Sequence, residues 1–146
     1  MTTREQDIHE MNKFLKGVHM GGTTFKDYLD KAQSPELKKE LQIIIESFKR
    51  HEEAITHRIE QIGGNPADSV GLMGMMGEFF EEIKLITADT DAKVLNHAIN
   101  AMEMGIKNGK KFLEENKDLD ESLKKDVEGV VKDYDNQLRR LQELNL

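Results

Sequence analysis

Apolar residues recur at spacings of three and four in four long stretches of the chain and one shorter one, the pattern of helices that each bury a single stripe. The first stripe comprises Ile8, Met11, Leu15, Val18, Gly22, Phe25 and Leu29. Thr2 and Glu5 open it as a capping box, and it runs to about Ala32. The break "QSPEL" carries its own restart: Ser34 suits a cap, and Pro35 suits the first turn, where its missing N–H has no helical partner. The second stripe holds Leu41, Ile44, Ile45, Phe48, His51 or Glu52, Ile55, Ile59 and Ile62. "GGNP" stops it, with Gly63 as the left-handed C-cap. Asn65, Pro66 and Asp68 then read as cap, first turn and third position of a short helix from about Ala67 to Thr87.

After "ADTD" a third long stripe contains Leu95, Ala98, Met102, Gly105, Gly109 and Phe112. Asp118 or Asp120 caps the last helix, whose stripe is Val127, Val130, Tyr134, Leu138 and Leu141. Helices of about 27 residues are about 40 Å long at a rise of 1.5 Å per residue. The short breaks make each successive pair an antiparallel hairpin, while the stretch between the pairs is too long for a tight turn. The expectation is one all-α domain spanning residues 1–146, an antiparallel bundle of two hairpins joined by a crossover that carries an additional short helix. Glycines at 71, 74 and 77 on the crossover, and at 105 and 109 on the third long helix, cost about 1 kcal/mol each against alanine in a helix interior. Their repetition points to close backbone approach. Glu78, Glu81, Glu82 and Lys84 interrupt the neighbouring apolar run and argue against membrane dimerisation.

Composition narrows the function classes. The net charge of −7 and a pI near 5.3 disfavour nucleic acid and anionic membranes, and the basic residues form no patch. The chain has no cysteine, which removes disulfides, thiolate nucleophiles and zinc-finger spacings. No uncharged apolar run approaches the roughly 20 residues that span a bilayer, and "MTTREQDIHE" is unlike a signal peptide, so a cytoplasmic location is expected.

"MNKFLKG", "PELKKEL", "IEQIGGNP" and "DTDAKVLNHAINAMEMG", in the order hairpin, Gly-Gly-x-Pro elbow, crossover, hairpin, resemble the ferritin-like superfamily. Within it the chain is similar over nearly its whole length to a bacterial domain family of unknown function. The resemblance implies a ferritin-like four-helix bundle and a stress- or iron-related setting. Metal-loaded members of that superfamily place a carboxylate from each of two helices and a Glu-x-x-His pair from each of the others around two metal ions. Counting back from Gly63 and Gly64, the resemblance puts Phe48 at a glutamate position and His51 at a histidine position. Val18, with His19 beside it, stands for the first-helix carboxylate, and Glu103 matches on the third helix. On the fourth, either Tyr134 and Gln137 or Asp133 and Asn136 take the last pair's place.

No Glu-x-x-His remains at either site. A core carboxylate without a metal costs several kcal/mol or becomes protonated, whereas burying Val or Phe contributes roughly 1.5–3 kcal/mol. A degenerate di-metal site is therefore expected, with no cofactor and no catalytic residues. His19, His51, Glu103 and Tyr134 are the residual metal candidates; His9, His57 and His97 lie off the stripes, with His57 four residues after Glu53 as a surface pair. Met73, Met75 and Met76 read as gap or interface filling in preference to a copper site. The acidic loop "NKDLDES" lacks the turn glycine of a calcium loop. The preferred reading is a non-enzymatic bundle that self-associates, as a dimer in the favoured form, or binds another protein. Leu72, Met75, Phe79 and Phe80 are its interface candidates. The alternative is an iron- or manganese-binding oxidase or storage protein with a shifted or reduced ligand set.

Overall fold

The computed structural model describes residues 2–67 and 90–146. Four helices stand among them: α1 over Arg4–Lys31, α2 over Pro35–Gln61, α3 over Asp91–Glu115 and α4 over Glu121–Gln142. The short crossover helix expected near 67–87, and the interface candidates Leu72, Met75, Phe79 and Phe80, lie outside the described residues.

Local chemistry sets the helix ends. The capping box of α1 is Thr3 with Gln6, one residue later than the expected Thr2 and Glu5: Thr3 Oγ1 accepts from the Gln6 N–H at 3.2 Å and Gln6 Oε1 accepts from the Thr3 N–H at 2.9 Å. The Thr2 hydroxyl is engaged elsewhere, on the Asp7 carboxylate and the Asp118 carbonyl. Ser34 occupies the cap position of α2, yet its side chain makes no capping bond. The N–H groups of Gln33 and Ser34 donate instead to the Asp91 carboxylate at 2.8 and 2.9 Å. Gly63, with φ of +87°, provides the left-handed residue after α2. Of the two candidate caps for α4, Asp120 is the one used, its carboxylate accepting from the Ser122 N–H at 3.1 Å.

The rings of Phe14 and Phe112, with centroids 5.2 Å apart, and of Tyr28 and His97, at 6.5 Å, fix α1 antiparallel to α3. Pairs between Arg58 and Asp126, His51 and Asp133, and Glu40 and Arg140 fix α2 antiparallel to α4. With α1–α2 and α3–α4 as hairpins, α2 and α3 run parallel, so the chain leaves α2 at one end of the bundle and enters α3 at the other. The Asn12 side chain holds the departing strand of chain, donating to the Asn65 carbonyl at 3.0 Å and accepting from the Ala67 N–H at 2.8 Å.

One apolar cluster runs between the four helices. Met11, Leu15, Val18, Phe25, Leu41, Ile44, Phe48, Ile55 and Ile59 fill it as their spacing requires. Leu29, Ile45, Leu95 and Leu138 are only partly buried, and Tyr28, Val94, Ile106, Leu123 and Val131 take inward places that the stripes omitted. No helix among the described residues is long and apolar enough to cross a membrane.

Candidate functional site

Midway along the bundle the interior is aromatic. Phe48 on α2 packs against Phe25 on α1, with centroids 5.5 Å apart, and against Tyr134 on α4 at 5.2 Å; Phe25 meets Tyr28 edge-on at 5.3 Å. Gly21 makes room for this cluster, since a Cβ there overlaps the Phe48 ring. Val18 is buried alongside. On α4 Tyr134 and Gln137 point inward, while Asp133 is half-exposed and Asn136 exposed, which fixes the register that the sequence left open.

Two histidines flank the aromatic centre, and each has a carboxylate of its own. His51 Nε2 lies 2.7 Å from Asp133 Oδ2, which also accepts from the buried Ser47 hydroxyl at 2.7 Å. His19 Nδ1 lies 2.7 Å from Glu52 Oε1. Partial burial alone would raise the Asp133 carboxyl. The hydrogen bonds from Ser47 and His51, with the nearby charges of His51 and Arg50, outweigh it and hold the group below the ordinary carboxylate range. A carboxyl depressed in the folded state contributes stability that is complete above its unfolded pKa of about 4 and is lost as the pH falls through its lower native value. Asp133→Asn is accordingly expected to destabilise at neutral pH and by much less near pH 3, measured as urea midpoints at the two pH values.

Of the four residual metal candidates, the structure brings His51 and Tyr134 together, with ring centroids 6.2 Å apart and edge-on. Glu103 sits on the exposed face of α3, because its neighbour Met102 takes the inward position. His19 faces Glu52 across the α1–α2 contact. Burial, and secondarily the charge of Asp133, pushes the Tyr134 phenol far above its ordinary range, so it stands as a neutral buried hydroxyl. Among the described residues no three His, Cys, Asp or Glu side chains converge in a way that could hold a metal ion. Iron or manganese calls for several carboxylates, and this donor set does not fit them. The remaining histidines play other parts: His97 stacks on Tyr28, His9 is exposed, and His57 pairs with Gln61 at 3.2 Å, where Glu53 was expected.

The one buried side-chain atom without a hydrogen-bond partner among the described residues is Gln137 Oε1. Leaving such a group unsatisfied costs about 1–3 kcal/mol. Gln137→Leu, which keeps much of the volume and deletes the amide, is expected to raise stability by roughly that amount in equilibrium chemical denaturation.

A second feature lies between α1 and α3, where an apolar cavity of about 380 Å3 opens to the surface. The register set by Phe14 with Phe112 places Gly17 opposite Gly109 and Gly21 opposite Gly105, and all four glycines line it. Phe14, Met20, Met104 and Phe112 form its walls, with Met104 62% exposed at the mouth. Of the glycines, 21 and 109 serve close packing against Phe48 and Val131; a Cβ at 105 makes ordinary contact with Tyr134, and one at 17 meets nothing within 4 Å among the described residues. The packing expected of Gly105 and Gly109 therefore holds tightly at the second position only.

The partners of the histidines escaped the sequence reading. Ser47, four residues before His51 on the same helical face, was the available signal for a polar cluster, whereas Asp133 and Glu52 arrive from packing. For the cavity the signal was Gly-x-x-x-Gly present twice, at 17 and 21 as well as at 105 and 109. Compared with known families, residues 6–115 match the one described as Domain of unknown function (DUF2383). No curated protein and no solved structure matches.

Proposed function

This chain belongs to the DUF2383 family, a domain of unknown function, and from that premise we propose that it is a non-catalytic bundle of ferritin-like type that acts by association with itself or with another protein. The observation that carries the reading is the filling of the bundle centre. Val18, Phe48 and Tyr134 are buried there, at positions that by the resemblance correspond to the acidic or histidine donors of a di-metal protein, and His19 and His51 are bonded to Glu52 and Asp133. The parallel course of α2 and α3, which demands a single long crossover, supports the ferritin-like assignment. Leu72, Met75, Phe79 and Phe80 are the proposed apolar contribution to association, with a dimer as the favoured form and a stress-related setting as the context.

Sedimentation combined with metal analysis tests this. A concentration-dependent dimer, or capture of a defined protein partner, without stoichiometric metal is the expected result. Tightly bound iron or manganese after growth in enriched medium, accompanied by ferroxidase activity, overturns it in favour of a reduced or shifted ligand set.

A further inference from the structure

A thioether is converted to its sulfoxide by an oxidant that reaches the sulfur, with no help from a neighbouring base. Exposure therefore sorts the methionines of a folded chain. Met11 is 0% exposed and Met102 1%, both inside the apolar cluster, and Met20 is partly buried on the wall of the α1–α3 cavity. Met104 is the most exposed of the large apolar side chains among the described residues.

The rotation of α3 accounts for the contrast. Met102 and Ile106, four residues apart, take inward places. Met104 lies two residues from each and so about 200° round the helix from both. That turn sets it at the mouth of the cavity, on the same wall as Asn108 one turn further on. A leucine at this place would be chemically fixed, whereas methionine is an aliphatic residue whose polarity an oxidant can switch.

We propose that Met104 is a reversible oxidation site, where hydrogen peroxide converts the thioether to a sulfoxide and turns the rim of the α1–α3 cavity from apolar to polar. A sulfur lone pair takes one peroxide oxygen: the S–O bond forms as the O–O bond breaks, and the other oxygen leaves as water with both protons. Sulfur is oxidised by two electrons and the peroxide is reduced by two. Methionine sulfoxide reductases, one for each epimer at sulfur, undo the step. In that direction the oxygen leaves as water while two thiols close to a disulfide, and the enzymes too need the side chain in the open. The core is untouched, because the inward places on α3 belong to Met102 and Ile106. This goes beyond the association reading, and neither depends on the other.

Peptide mapping by mass spectrometry, on the full-length chain treated with hydrogen peroxide in stages, follows each methionine separately. Met104 is expected to gain oxygen about tenfold or more faster than Met11 and Met102, since a buried sulfur reacts only when the structure opens. The paired reductases are then expected to return Met104 to the thioether. Met104→Gln, which puts an amide oxygen in place of the sulfoxide oxygen, is expected to melt within about 2 °C of the unaltered chain, whereas Met102→Gln melts well below it. Oxidation of Met104 no faster than that of Met11 and Met102, in a chain whose circular dichroism is fully helical, overturns the proposal. So does a sulfoxide at this position that the reductases leave in place, or a Met104→Gln variant as destabilised as Met102→Gln.

Discussion

Phe48→Ala is expected to lower the free energy of unfolding by about 3–5 kcal/mol, the range for removing a large aromatic side chain from a packed core. The ring is 5% exposed and touches three helices at once, through Phe25 on α1, its own helix, and Tyr134 on α4. Its loss leaves a cavity that the surrounding rings cannot close without moving Tyr134 away from His51. Equilibrium urea denaturation measures the change, and a loss below about 1 kcal/mol would mean that the aromatic cluster is not what joins α2 to its neighbours. The same measurement distinguishes this centre from a tuned polar site, where replacing one residue commonly alters ligand binding more than stability.

Gly21→Ala is the second substitution with a large expected effect, and its sign is the informative part. Helix propensity alone favours alanine by about 1 kcal/mol. The new methyl group overlaps the edge of the Phe48 ring, which is wedged between Phe25 and Tyr134 and has nowhere to turn. Overpacking of this kind costs about 1–3 kcal/mol and exceeds the propensity gain, so the variant is expected to be less stable. Made in the Phe48→Ala background, the same change should become stabilising. That reversal is a coupling between the two positions and is read from a double-mutant cycle; additive effects would show that the glycine and the ring are independent.

The four long helices, the left-handed Gly63 and the inward aim of Phe48 follow from periodicity and local chemistry, and all were legible in the sequence. The fourth helix was harder. Val130, Tyr134, Gln137 and Leu141 form an unbroken helical stripe, but the polarity of Gln137 diverted the reading to Leu138. The capping box slipped by one residue because Thr2 and Thr3 both fit the local pattern, and the Thr2 hydroxyl is taken up by the Asp7 carboxylate and the distant Asp118 carbonyl. Glu103 was matched to a ligand position only by the resemblance, and it is exposed, as the place of Met102 on the buried stripe already implied. The cavity lay beyond reach because opposed glycines require the α1–α3 register, which is set by ring contacts between residues nearly a hundred positions apart.

The two attachments that bracket residues 68–89 have a consequence for how the molecule holds together once its covalent continuity is lost. Asn12 grips Asn65 and Ala67, so the first hairpin retains its own tail, and Asp91 grips Gln33 and Ser34 from the head of the second. A protease nick within that span would yield two fragments that still carry complementary apolar faces and the Asp91 clasp that aligns them. Reconstitution of a native-like complex from the separated halves is the behaviour such a design permits.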